Sequence, residues 1–192
     1  MYEDRTAAGR ALVDRLAERS LHPDVVFALP TTGRPVARPI ADRFDATLGV
    51  MAAEPIHARD DPSLPVGAVT DTGHAWVDDR LVEAFGVDDD RLDAETQRAF
   101  REARTERDGV ESTPTPAGTV ALVADGLVTG MAMKACASAL GRVDGCDVVS
   151  TAPVGLPETV AELHALADDV VVAQRTRREN LLEPMYAASD AE

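Results

Sequence analysis

Lysine is almost missing from this chain. Of its 19 basic residues only Lys134 is lysine and 18 are arginine, against 34 acids of which 21 are aspartate. The formal net charge of −15 argues against a polyanion partner such as DNA or an acidic lipid surface. Cysteine is scarce too. Cys136 and Cys146 are too few for a disulfide framework, so a reduced cytoplasm is the expected compartment. No apolar run approaches the roughly 18 residues of a membrane span. The opening MYEDRTAAGR lacks the apolar stretch of a signal peptide. His22, His57, His74 and His164 show no metal-ligand spacing, and structural or surface roles are expected for them. No twelve-residue calcium loop follows Asp88-Asp89-Asp90, which reads as a solvated helix start. There is no GxSxG nucleophile elbow, no internal repeat and no second core.

What is present points to one α/β domain. The chain has 192 residues, 45% of them hydrophobic, enough for a core that needs no disulfide or metal. Residues 4–19 set Ala8, Leu12 and Leu16 on one helical face, with Thr6 as the expected N-cap. Residues 24–29 are a short apolar run, read as a buried strand. A turn at 30–35 leads into a helix with Pro35 in its first turn, and a strand follows at 47–51. Residues 52–65 read as a loop. Val66–Thr70 and His74–Val77 flank a hairpin turn, and 78–107 is helical with a break near 86–90. Segment 91–107 reads as a solvated face with i,i+4 pairs or as an arm for a homodimer. Residues 108–118 read as a mobile connection.

Strands at 119–123, 147–152 and 169–173 then alternate with helices at 131–141 and 157–167, the pattern of βαβ units and a mainly parallel sheet. The expected organisation is a single domain over 1–192, with an inserted hairpin and helical arm at 66–117 and a mobile tail at 175–192. The best candidate site lies where the strand ending at Val123 meets the next helix. Asp125 is followed by Gly126, Leu127, Val128, Thr129 and Gly130. Such a turn presents backbone N–H groups and a positive helix end to an anion. The two glycines allow close approach, Thr129 adds a hydroxyl, and Asp125 suits sugar hydroxyls or a metal. The spacing matches neither the P-loop nor the dinucleotide fingerprint, and an ordinary strand-to-helix turn is the alternative.

At this point the chain resembles the type I phosphoribosyltransferases, in particular a prokaryotic branch of them. The resemblance rests on Asp4-Arg5 with Ala8-Gly9, on Leu29-Pro30-Thr31-Thr32-Gly33-Arg34-Pro35-Val36-Ala37, and on Gly67-Ala68-Val69. It continues through Val123–Met133, Ala152-Pro153-Val154 and Pro157-Glu158-Thr159. It covers about residues 4–173. It implies a parallel sheet flanked by helices with a small hood, and phosphoribosyl diphosphate with Mg²⁺ as substrate. The metal would arrive through that ligand. The implied reaction replaces diphosphate at the anomeric carbon with a nucleobase-like acceptor. By this similarity residues 126–130 would hold the 5-phosphate and Asp125, the catalytic candidate, a ribose hydroxyl. The turn of Thr31, Thr32, Gly33 and Arg34 would face the diphosphate, and the site would sit beyond the strands' carboxyl ends.

The departures from the family fall on the chemistry. Its acid pair is Ala124-Asp125 here, so one carboxylate is gone. Its arginine in the diphosphate turn is Thr31 and the next glycine is Thr32. Its Arg-Lys pair falls on Glu54-Pro55, and the last threonine of the phosphate turn is Ala132. Each lost anion-stabilising donor costs ~3–4 kcal/mol at such sites. Glu54 would repel a diphosphate; Arg34, three residues after the lost arginine, reads either as a replacement for it or as a surface residue beside a helix start. The aromatic tail of related chains is reduced to Tyr186. Two readings follow: Mg²⁺-dependent phosphoribosyl transfer, or a diverged, non-catalytic relative that binds a nucleoside monophosphate or phosphoribosyl ligand as sensor or partner subunit. A structural paralogue without ligand is the third. The acidic, lysine-poor surface resembles proteins of salt-loving archaea, where a Debye length of ~3 Å at 1 M salt screens the repulsion.

Overall fold

A computed structural model describes residues 2–30, 32–58, 63–107 and 114–177. Two sheets organise the chain. The larger contains β1 (Val25–Ala28), β2 (Thr47–Val50), β6 (Gly118–Val123), β7 (Cys146–Gly155) and β8 (Asp169–Arg175), in the order β2-β1-β6-β7-β8. Every neighbouring pair in it is parallel. The smaller is antiparallel, ordered β3 (Ala53–His57), β4 (Pro65–Thr70), β5 (Ala75–Val77). The expected α/β fold, a parallel sheet flanked by helices, is the one the chain forms.

The period of two along each strand decides which helices cover which face. Val26, Ala28, Ala121 and Val123 point to one side, where they pack with α1 (Arg5–Glu18) and α2 (Gly33–Phe44). Val25, Phe27, Val120 and Leu122 point to the other and pack with α5 (Met131–Leu140). Burial on both faces explains why these strands read as continuous apolar runs. The small sheet forms a hood. On one side it meets α5, and on the other α3 (Asp79–Phe85) and α4 (Asp89–Arg107), through Ile56, Val66, Val69 and Ala99. Helix α6 (Pro157–Leu163), between β7 and β8 in sequence, packs against both.

Several local expectations are corrected. The N-cap of α1 is Asp4, not Thr6. Its carboxylate accepts the Ala7 N–H at 2.6 Å, so the helix begins earlier. The expected loop at 52–65 contains β3. Pro55 hides it from sequence reading, but β3 is an edge strand, where a missing N–H is tolerated. The hood therefore starts at residue 53, ahead of the expected 66. Strand β7 runs three residues past Ala152 and includes Pro153. There β6 has already ended, its pairing with β7 stopping at Thr151, so the missing N–H of Pro153 breaks no bond to β6. Strand β8 extends to Arg175, into the expected tail. Helix α6 stops at Leu163, earlier than the expected 167. The connection at 108–113 and the tail beyond 177, Tyr186 included, lie outside the described residues.

Candidate functional site

Residues 124–133 line a cavity of about 420 Å³ at the carboxyl end of the parallel sheet, closed on the hood side by Pro55, Ser63 and Pro65. The sequence expectation for Asp125 and Gly126–Gly130 thus falls on one concave surface. The turn itself is stitched in place. Leu127 forms a parallel bridge with Gly155, its N–H donating to Val154 at 2.9 Å and its carbonyl accepting from Leu156 at 2.9 Å. The Thr159 hydroxyl donates to the Val128 carbonyl. Gly130 caps α5 with φ of +65°, and a Cβ there would meet the Thr159 methyl at 2.5 Å. Only glycine fits both constraints.

The N–H groups of Gly126, Val128, Thr129 and Gly130 have no acceptor among the described residues. The first N–H groups of α5 lie beside them at the positive end of its dipole. Asp125 is largely buried and meets Arg5 from the start of α1, Nη2 to Oδ2 at 3.4 Å. The pair spans 120 positions and was not assigned a role from sequence. The signal in the sequence is Asp4-Arg5 itself. Substituting Arg5 by Met should remove this contact to Asp125 and weaken ribose 5-phosphate binding by about three- to tenfold. The melting temperature should barely move, since a partly exposed ion pair contributes about 1 kcal/mol or less. Calorimetry beside a thermal melt checks both.

Of the expected diphosphate turn, the described residues Thr32, Gly33 and Arg34 do not line the cavity. Thr31 lies outside the described residues. Thr32 occupies the N-cap position of α2 without a side-chain capping bond. Gly33 is buried where a Cβ would sit 2.8 Å from the Val123 carbonyl, so its role is close packing of α2 on β6. Arg34 is exposed and does not line the cavity. Among the described residues no arginine or lysine does, and Asp125 is the one charged side chain there. Ala124 and Ala132 line it as methyl groups where the resembling family carries an acid and a hydroxyl.

Glu54 corrects the reading of its charge. It turns toward α4, where Glu106 and Glu102 face it and Arg98 only partly offsets them, while its neighbour Pro55 lines the cavity. Burial first, then those two acids, raise its carboxyl to about 7. Glu54 therefore does not confront the cavity as a fixed anion. His57 Nδ1 lies 3.1 Å from Arg98 Nη2, and His74 Nε2 lies 2.9 Å from the Ser138 hydroxyl; neither lines the cavity. Cys136 is fully buried, and burial pushes its thiol well up, so it is core. Met51, Met131 and Met133 are buried in the same core, although Met131 and Met133 also reach the cavity. Lys134, the single lysine, was also missed. It is 3% exposed, donates to Glu162 at 2.6 Å and lies 5.0 Å from the Trp76 ring, tying α5 to α6 and the hood.

The strand–turn–helix site sits on an α/β fold with a five-stranded parallel sheet flanked by helices, and the comparisons agree on that fold. No protein-family model matches the chain. It is 33% identical over 176 residues to a Mycobacterium tuberculosis protein described as a "putative phosphoribosyl transferase". That match takes in 89% of this chain and 40% of the relative's own length. The crystal structure of TT1426 from Thermus thermophilus is similar at 30% identity with a TM-score of 0.79, covering 97% of this chain and 90% of that one. The chain belongs to the same family as TT1426. A more distant likeness, AQ2163 from Aquifex aeolicus, shares the fold at 10% identity with a TM-score of 0.55, over 93% of this chain and 76% of that one.

Proposed function

We propose that the protein binds a 5-phosphorylated ribose, as in a nucleoside monophosphate, as a diverged relative of the phosphoribosyltransferases. The 5-phosphate rests on the turn 126–130 and a ribose hydroxyl on Asp125. The observation that carries this is the set of four N–H groups just ahead of α5 that have no acceptor among the described residues, braced from behind by Leu127, Thr159 and Gly130. Donors fixed in place bind an anion without paying to be ordered first. The cavity, with no arginine or lysine in its lining among the described residues, suits one phosphate better than a phosphate plus a diphosphate.

A second reading, transfer of the 5-phosphoribosyl group from phosphoribosyl diphosphate to a nucleobase-like acceptor, is favoured by one observation. Asp125 stands at the strand end beside the turn, where the resembling enzymes hold a ribose hydroxyl. Among the described residues the cavity offers a single carboxylate, in contact with Arg5, and no group of three metal-binding side chains, so a magnesium ion there would rely on the oxygens of its ligand.

Calorimetric titration with ribose 5-phosphate, nucleoside monophosphates and phosphoribosyl diphosphate, with and without Mg²⁺, separates the readings. Binding of monophosphates that ignores Mg²⁺ and drops about tenfold or more in Asp125→Ala is the expected result. Tight binding of phosphoribosyl diphosphate that requires Mg²⁺, with diphosphate released on adding a base, would replace it with the transfer reading. Binding of none of them would remove both.

A further inference from the structure

Helix α6 makes two polar bonds to the stretch of chain that runs from the 126–130 turn into α5. Thr159 donates its hydroxyl to the Val128 carbonyl, and Glu162 accepts from Lys134 Nζ at 2.6 Å. Thr159 and Glu162 are three positions apart, so they are neighbours on the surface of their helix. Val160 and Leu163 point into the core instead. One face of α6 thus grips the turn with Thr159 and α5 with Glu162.

Lys134 comes from the first turn of α5, where its N–H donates to the Gly130 carbonyl at 2.8 Å. Helical side chains slant toward the N-terminus. This one does so, and its Cε lies 3.9 Å from the point that a Cβ on Gly130 would occupy. The Thr159 methyl lies 2.5 Å from the same point. Side chains of two helices therefore come close to Gly130. Lys134 is buried and does not line the cavity. A buried ammonium is costly unless it is paired. Glu162 and the face of the Trp76 ring supply that pairing. An apolar side chain of the same length would fill the space without the cost, so stability alone does not account for a lysine there.

We propose that Lys134 is a positioning residue for phosphate binding. Its bond to Glu162 fixes α6 against α5. That keeps the Thr159 hydroxyl on the Val128 carbonyl and so sets the direction of the neighbouring N–H groups. Lys134 does not touch the ligand; it acts through Glu162 and Thr159, as supporting side chains do where donors must be held within a fraction of an ångström. The inference rests on the reading of residues 126–130 as the phosphate site.

The test compares the full chain with Lys134→Met, which keeps the packing and removes the bond. Glu162 is 42% exposed and also meets Arg80 at 3.6 Å, so no buried charge is stranded and the melting temperature should move little. The first readout is the carbonyl ¹³C signal of Val128 in the ligand-free protein, which reports its hydrogen bond. Thr159→Val keeps the methyl group but lacks the hydroxyl, and marks where that signal falls when the bond is gone. The second readout is calorimetric affinity for ribose 5-phosphate. In Lys134→Met the Val128 signal should move toward its Thr159→Val position, and affinity should fall about three- to tenfold. A Val128 signal that stays in place overturns the proposal, whatever happens to stability or affinity. So does an affinity equal to that of the unsubstituted protein. If the unsubstituted protein itself does not bind ribose 5-phosphate, the phosphate reading fails and this proposal with it. Should Lys134→Met not fold, Glu162→Gln removes the charge from the partly exposed side of the pair and should move both readouts in the same direction.

Discussion

Replacing Gly130 by valine should reduce affinity for ribose 5-phosphate by at least about 100-fold. Gly130 has φ of +65°, a conformation that costs a side chain with a Cβ about 1–2 kcal/mol. Its Cβ would also press on the Thr159 methyl at 2.5 Å. Thr159 holds the Val128 carbonyl, so relief of the clash moves the donors on which the phosphate is to rest. A misplaced donor loses most of a charge-assisted hydrogen bond, and several move together. Thr159→Ser in the same chain should restore only part of the affinity, since it removes the methyl but not the dihedral. Gly145→Ala is the matched control. Gly145 has φ of +78° with open space around it, so it costs similar backbone strain and should leave affinity unchanged. Calorimetry on the three variants, beside their melting temperatures, separates local binding loss from unfolding.

Glu54→Gln should stabilise the protein at pH 8 and make no difference near pH 4. The carboxyl of Glu54 is raised from 4.5 to about 7 by burial and by Glu106 and Glu102. The folded state therefore holds its proton more tightly than the unfolded chain does. Stability from that proton is full below pH 4.5 and is lost as pH rises through about 7. Glutamine mimics the protonated acid and carries no charge to expel. Glu54 is half-buried, so screening by solvent reduces the gain to on the order of 1 kcal/mol. Denaturant unfolding of both proteins at pH 4, 6 and 8, at one salt concentration, reads the difference. A gain that does not grow with pH would show that the three acids do not share one environment.

The parallel sheet was legible because its strands are buried on both faces. Runs such as Val120–Val123 and Val25–Ala28 leave no alternation to confuse with a surface strand. The turn 126–130 was legible because two glycines and a threonine between a strand and a helix have few other uses. Strand β3 was not, because Pro55 argues against any strand unless its edge position is known. The direction of Glu54 was equally hidden. Its type suggested a clash with an anion, but pairing with β4 turns it to α4 and gives the cavity to Pro55. The Arg5–Asp125 contact joins the start of α1 to the end of β6, and no local pattern connects residues so far apart. Lys134 was noticed for its rarity alone; its bond to Glu162 and its place by Trp76 exist only in the folded chain.

The most direct measurement is an amide-resolved NMR titration of the ¹⁵N-labelled protein with adenosine 5′-monophosphate, set against adenosine. The N–H groups of Gly126, Val128, Thr129 and Gly130 have no acceptor among the described residues. They should shift strongly downfield with the monophosphate, together and saturably, and stay in place with adenosine. Shifts of equal size with both ligands, or shifts that avoid the turn, would contradict phosphate binding at the start of α5.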